Sequence, residues 1–333
     1  MDTKKSTPIF DATVVCVASW NADLTSRVAR PLAVGETVAA HGFTVSPGGK
    51  GSNAAVAAAR MGAAVSLVAR IGDDAFGQMA TALWSDEGID TAHVVRAAGE
   101  ASGVAQILVY DSGDNSIAVS AGANAGLDVA HVEAAHAAIA GARVVVASNE
   151  VPIAVALAAF RFARAHAVAT VYNPAPAVPS SAALLELLSL CDVITPNEGE
   201  LLALACADNS AKAQNATNQA QPLLTPNADK LASAAQAVLD MGVKAIIVTL
   251  GANGCALYRS GHAPLRIAGW PVQVADTVGA GDTLTGALSA CLASSMPLER
   301  ATLYANAAAA LSVTGVGALG GMPDIEQVEA LLL

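Results

Sequence analysis

The sequence predicts an α/β protein in which a mostly parallel sheet is covered by helices on both faces and carries a small second sheet. Three observations lead there. Short β-branched runs, apolar throughout, alternate with Ala-rich helical stretches along most of the 333 residues, the pattern of strands buried on both faces. The composition is 54% hydrophobic but only 4% aromatic, so the expected core packs small side chains of helices closely onto a sheet. Two segments, about 24–47 and 102–120, break the alternation and read as strand–turn–strand.

Taken in order, residues 14–18 form the first predicted strand. Residues 53–61 form a helix stopped by Gly62, and 65–71 the next strand. Further strands fall at 144–147, 170–172, 193–195 and 245–250, each with a helical stretch nearby. In the second irregular segment, 104–110 and 116–120 flank the turn Asp111-Ser112-Gly113-Asp114-Asn115, whose residues favour chain reversal. The two irregular segments together make either a lid over a ligand site or a decorative hairpin. Residues 208–229, rich in Asn, Gln and Ala with Pro222 and Pro226, read as a flexible surface insertion. The whole is expected to be a single domain over 1–333.

Composition narrows the function. With 17 basic against 28 acidic residues, a net of −11, no nucleic-acid surface is expected, because phosphate-backbone binding needs clustered Lys and Arg. A single phosphate tail remains possible, since backbone amides can hold it. Cys16, Cys191, Cys206, Cys255 and Cys291 form no CxxC pair, which suits thiols in a reducing cytosol. The six histidines have no metal-ligand spacing. The first ten residues lack the apolar stretch of a signal peptide, and no apolar run reaches the ~18 residues of a membrane span. A cytoplasmic protein with no membrane partner is expected.

Four motifs carry chemistry. Asp276-Thr277-Val278-Gly279-Ala280-Gly281-Asp282-Thr283 precedes a helical stretch at 284–293. Its glycines let amides converge at a helix N-terminus, where an anion is favoured, and Asp282 at the mouth can take a proton from a hydroxyl. The same string is also an ordinary capped helix start. It is neither a Walker loop nor a dinucleotide fingerprint. Pro47-Gly48-Gly49-Lys50-Gly51-Ser52-Asn53 leads into a helix and allows close backbone approach to a ligand. Upstream, Asn21 and Asp23 follow the first strand at its carboxyl end, where open α/β sheets bind ligands; they suit vicinal sugar hydroxyls or simply form a turn. Thr195-Pro196-Asn197-Glu198-Gly199-Glu200 places Asn197 and Glu200 together on a first helical turn, as oxygen donors toward Mg2+ or as a helix cap. Thr249-Leu250-Gly251-Ala252-Asn253-Gly254 either receives phosphates or reverses the chain.

These motifs occur in the order found in ribokinases, and from about residue 14 to 323 the chain resembles the PfkB-type carbohydrate kinases. Smaller matches are Gly35-Glu36-Thr37, Gly72-Asp73-Asp74, Gly122-Ala123-Asn124-Ala125 and Asn173-Pro174-Ala175-Pro176-Ala177. The resemblance implies a Rossmann-like, mostly parallel sheet sandwiched by helices, with a small β-sheet lid often used for dimerisation. It implies ATP-dependent phosphorylation of ribose to ribose 5-phosphate, with Asp282 as base and Gly279, Ala280 and Gly281 as the anion hole. Asn21, Asp23, Gly49, Lys50, Asn53 and Glu150 match sugar-binding positions, with Asp282 also facing the sugar and Val119 on the lid above it. Asn197, Thr249, Gly251, Gly254, Gly281 and Asn306 match nucleotide positions, and Glu200 a Mg2+ contact through water. Asp276, Val278, Ser312, Gly315, Gly317 and Gly321 match the ligands of a K+ ion, mostly through carbonyls.

The chain departs from that pattern in places. Trp20 stands where a smaller aliphatic residue is usual, and either walls the pocket or packs into the strand end. Asn306 replaces a histidine near the adenine, and Gly320-Gly321-Met322 replaces a Pro-Ser stretch near the cation loop. Competing readings are a related kinase for deoxyribose, fructose or a nucleoside such as adenosine, and a noncatalytic sugar sensor. Few aromatics in the lid (Phe43 and Tyr110) favour a free sugar over a base-bearing nucleoside. An NAD-linked dehydrogenase fails for want of the glycine fingerprint.

Overall fold

The computed structural model describes residues 12–206 and 228–333; the insertion expected at 208–229 lies outside the described residues except for its last two. The strands are β1 (Thr13–Ala18), β2 (Asn21–Val28), β3 (Gly42–Gly48), β4 (Ala64–Gly72), β5 (Asp90–Ala97), β6 (Gly103–Tyr110), β7 (Asn115–Ser120), β8 (Val144–Ser148), β9 (Ala169–Asn173), β10 (Val193–Ile194), β11 (Ala245–Thr249), β12 (Cys255–Arg259) and β13 (Leu265–Ile267). Nine of them form one sheet in the order β13-β12-β11-β10-β9-β8-β1-β4-β5. The seven strands from β11 to β5 run parallel, and β12 and β13 close one edge antiparallel. That edge was not legible as a separate feature of the sequence.

Alternate residues of β1 feed opposite faces of the sheet, as period-two side chains must. Val14, Cys16 and Ala18 pack into a core with Leu284, Leu288 and Ala305. Val15 and Val17 pack into a second core with Phe160, Leu187 and Val238. Helices therefore cover both faces, and small residues bring them close. A Cβ on Gly286 would lie 2.2 Å from the Ala54 carbonyl oxygen and 2.6 Å from the Ala57 Cβ. Only glycine lets helix Ala280–Ala293 approach helix Lys50–Arg60 so nearly.

The remaining strands form a four-stranded sheet in the order β3-β2-β6-β7, from the two segments that broke the alternation. The turn before β7 closes where expected, Tyr110 N–H donating to the Asp114 carbonyl at 2.9 Å. Asn21 and Asp23 lie within β2, paired with Gly48 and Ser46 of β3 and with Gly103 and Ala105 of β6, and do not form a turn. Asn and Asp are poor strand formers, so propensity alone starts the strand too late. The base of this sheet is tied to the main one. Asp74, which caps helix Ala75–Asp86, accepts from Ser102 N–H and Ser102 Oγ at 2.8 and 2.7 Å, directly before β6. Among the described residues no helix is long and apolar enough to cross a membrane. All five cysteines are free, four of them buried.

Candidate active site

Five adjacent parallel strands deliver their carboxyl ends to one crevice, the place where such sheets bind ligands. In spatial order, Thr249 ends β11, Asn197 follows β10, Asn173 ends β9, Glu150 follows β8 and Asn21 follows β1. Two helix N-termini face the same crevice. One belongs to Lys50–Arg60, entered through Gly49 at φ 91°, and the other to Ala280–Ala293, entered through Gly279 at φ 79°.

The residues expected on the sugar side are joined by hydrogen bonds. Glu150 Oε2 accepts from Ser19 Oγ at 2.7 Å, from the Lys50 backbone N–H at 2.8 Å and from Asn21 Nδ2 at 3.5 Å. Asn53 Nδ2 donates to Asp282 Oδ2 at 2.9 Å, a contact that the close helix pair permits. Asn173 Nδ2 donates to the other oxygen, Oδ1, at 3.2 Å. Asn124, on the loop after β7, accepts from Trp20 N–H at 2.9 Å. It donates to the Trp20 carbonyl at 2.8 Å and to Asn21 Oδ1 at 3.1 Å. That last bond turns the Asn21 amide nitrogen toward Glu150. Trp20 itself is fully buried, edge-to-face with Trp84 at 5.6 Å, and Trp84 Nε1 donates to Ser52 Oγ at 2.8 Å. The indole packs against the core side of this helix start.

Burial sets the electrostatics. Asp282 is 5% exposed, and loss of hydration pushes its carboxyl up to about 6, against the opposing pull of Lys50 and the Asn53 hydrogen bond. Glu150 and Glu200 add to the rise. Asp23 is pushed up to about 7, first by burial and then by the negative charges of Glu150 and Asp282, with Lys50 opposing. Lys50 is raised, chiefly by Asp282. Asp282, Glu150, Glu200 and Asp23 thus share one lysine, and burial among these charges favours proton uptake by Asp282 and Asp23 near neutrality.

Two adjoining cavities complete the site. The smaller, about 230 Å³, is bordered by Lys50, Asn173, Asn197, Glu200, Gly281 and Asp282. The larger, about 620 Å³, is bordered by Thr249, Gly251, Gly254, Gly281, Trp270 and Asn306. Thr249, Thr277, Ala280 and Gly281 border both, so the nest of residues 279–281 is the seam between them. A Cβ on Gly251 or Gly281 would meet nothing within 4 Å, which leaves bare backbone facing open space, as a phosphate chain needs. Asn306 Nδ2 donates to the Ala268 carbonyl at 2.9 Å. Trp270 has no counterpart among the residues singled out from sequence.

Asn197 and Glu200 form a reciprocal capping box, Glu200 N–H to Asn197 Oδ1 and Asn197 N–H to Glu200 Oε2, each 2.8 Å. The cap and the cavity wall are one feature. Glu200 is a hard oxygen donor beside Asp282, and among the described residues no group of three or more His, Cys, Asp or Glu can hold a metal ion unaided.

At the far side of the nest, Asp276 accepts from Val278 N–H at 3.1 Å and from Gly317 N–H at 2.9 Å, joining the two loops that carry the expected K+ ligands. A Cβ on Gly321 would lie 2.3 Å from the Ser312 carbonyl oxygen, so both ends of the second loop touch. The Val313 carbonyl accepts from Ala275 and Asp276 N–H at 2.8 and 3.2 Å, so the backbone also joins the two loops.

The chain matches the pfkB family carbohydrate kinase model over residues 11–325. It is 36% identical over 315 residues to a ribokinase of Haemophilus influenzae, covering 95% of this chain and 96% of that protein. A ribokinase of Schizosaccharomyces pombe is 35% identical over 326 residues, again covering 95% and 96%. Among solved structures, Arabidopsis thaliana ribokinase complexed with ribose and ATP superposes with a TM-score of 0.82 at 29% identity, covering 96% of this chain and 98% of that one.

Proposed function

The chain belongs to the pfkB family of carbohydrate kinases, and from that premise we propose that it transfers the γ-phosphoryl group of ATP to ribose, giving ribose 5-phosphate. The observation that carries this reading is Asp282, a buried carboxylate at a helix N-terminus, facing the polar cavity beside the Ala280–Gly281 backbone that borders the larger groove as well.

Asn21 and Asn53, whose amides donate and accept, the donor Lys50 and the acceptors Asp23 and Glu150, with the Gly49 backbone, bind the sugar. Asp23 on β2 and Val119 on β7 belong to the small sheet, which acts as a lid that closes on the sugar and keeps water from competing for the phosphoryl group. Asp282 takes the proton of the attacking hydroxyl as its oxygen bonds to phosphorus and the bond to the leaving phosphate oxygen breaks. Backbone amides of Gly279, Ala280 and Gly281 hold the charge on the phosphoryl oxygens, aided by the dipole of helix Ala280–Ala293. Thr249, Gly251, Gly254, Asn197 and Asn306 seat the nucleotide. Glu200 would hold Mg2+ through water, and residues Asp276, Val278, Ser312, Gly315, Gly317 and Gly321 would hold K+ beside the nest. When bound, these cations supply positive charge against the phosphates. Positioning and electrostatics provide most of the rate in such transfers.

Exposed Phe43, Val45, Ile117 and Val119 on the small sheet support a homodimer formed through it, and five free cysteines suit a reducing cytoplasm. ADP release with ATP, Mg2+ and K+ over ribose, deoxyribose, fructose, adenosine, inosine and no sugar tests the function. Strong turnover on ribose supports the reading. Turnover on another member alone reassigns the pocket within the family. Ribose binding without turnover on any member makes the chain a sensor.

A further inference from the structure

Asp282 is gripped by two amides, and only one of them stands on its partner helix. Asn53 holds Oδ2 from the first turn of helix Lys50–Arg60, while Asn173 reaches Oδ1 from the end of β9. Asn173 is itself 5% exposed, and its Oδ1 accepts from Ala175 N–H at 3.2 Å, which fixes the amide with its nitrogen toward Asp282. The segment that carries it is pinned from β8. Asn149 Nδ2 donates to the carbonyls of Pro174 and Pro176 at 2.8 and 2.9 Å, and Asn149 N–H donates to the Ala175 carbonyl at 3.1 Å. Tyr172 Oη donates to Asn149 Oδ1. Asn149 is also the neighbour of Glu150, so one staple sets the sugar-side carboxylate and the amide on the base together.

We propose that Asn173 is a positioning residue for phosphoryl transfer: its amide holds one oxygen of the Asp282 carboxylate while Asn53 holds the other, so that the base meets the sugar hydroxyl in a single orientation. The proposal rests on the reading of Asp282 as the base. A carboxylate with a donor on each oxygen cannot rotate without losing one bond, and small misplacements of a reacting group cost large factors in rate. Asn173 also favours the ionised carboxylate, since a donor to the charged form stabilises it. The other charged groups around Asp282 are Lys50 from its helix, Asp23 from β2, Glu150 after β8 and Glu200 after β10. The substitution studied leaves all of these in place.

Asn173→Asp separates positioning from mere turn structure. It is isosteric and keeps the acceptor for Ala175 N–H, but it replaces the donor to Asp282 with a second carboxylate. Asn173→Ser, which removes the donor without adding charge, must show the same fall in kcat, and a fall confined to Asn173→Asp overturns the proposal. Steady-state turnover of ribose is measured against pH, with ribose affinity by calorimetry and folding by thermal melting. The expected result is a fall in kcat of roughly 10- to 100-fold with ribose Kd within about threefold, and in Asn173→Asp an acid limb at higher pH than in the wild type. Wild-type kcat with an unmoved limb overturns the proposal. Should Asn173→Asp fold poorly, Asn173→Ser keeps an acceptor for the turn, loses the reach to Oδ1, and carries the same two outcomes in kcat. Asp282→Asn assayed alongside distinguishes the two levels. If that variant turns over normally, the base assignment fails; if it is inactive while Asn173→Asp is normal, only the role of Asn173 fails.

Discussion

The polar cluster around Asp282, proposed for the sugar, and the larger groove, proposed for the nucleotide, lie side by side across the same strand ends, yet they are built from opposite materials. The cluster is made of buried and half-buried polar groups bonded to one another, with Glu150 accepting from Ser19, the Lys50 backbone and Asn21, and Asp282 held by Asn53 and Asn173. The groove is walled by apolar side chains such as Trp270, Val272 and Leu284 and floored by glycine backbone. A sugar is recognised by hydroxyls that each donate and accept, so losing one partner leaves a buried group unpaired, at a steep cost. A nucleotide offers a flat ring and a phosphate chain, for which shape and bare amides suffice. Substitutions in the two regions should therefore fail differently, the cluster through ribose, the groove through ATP, and the seam of residues 279–281 through kcat alone.

The seam gives the largest expected effect. Gly279 stands at φ 79°, and a Cβ there would lie 2.8 Å from Ala318 Cα and Cβ. Gly279→Ala should displace the nest and lower kcat by about 10²-fold or more, with ribose Kd near wild type by calorimetry. A large loss of ribose binding instead would show that seam and cluster are not separable. Next comes Glu150→Gln, which puts an amide where three donors converge. Ribose KM should rise roughly 10- to 100-fold while ATP KM stays within about twofold; parallel rises in both would break the contrast. Trp270→Ala should do the reverse, raising ATP KM about three- to tenfold through lost apolar wall with ribose KM unchanged.

The smallest effect concerns stability. The Asp23 carboxyl is raised from its ordinary 3.8 to about 7, so the folded protein holds that proton more tightly than the unfolded chain. Its contribution is intact below about pH 4 and is lost as pH rises through 7. Asp23→Asn should raise Tm by about 2–4 °C at pH 8, with the gain vanishing as the pH approaches 4. A gain independent of pH would place its cause elsewhere.

What was legible in the sequence follows the same division. Asp282, Glu200 and Lys50 sit in glycine-rich or capping strings at strand ends, where local pattern and residue chemistry coincide. The alternation of apolar runs gave away the main sheet for the same local reason. Asn173 and Asn124 were visible only as members of short matching strings, because their roles depend on partners far along the chain. Asn173 lies 109 residues from Asp282 and Asn124 lies 104 from Trp20, distances that only folding closes. Trp270 was missed because an apolar wall has no spacing rule. The start of β2 is not legible because Asn21 and Asp23 pair with β3 and β6 against their own propensity.

The most direct test of the whole account is the turnover of ribose by Asp282→Asn, with ribose binding measured on the same preparation. The account predicts retained binding and a loss of kcat of roughly 10²- to 10⁴-fold, the range for removing a general base. Turnover within a few-fold of wild type would contradict it, and the proton would have to leave by another route.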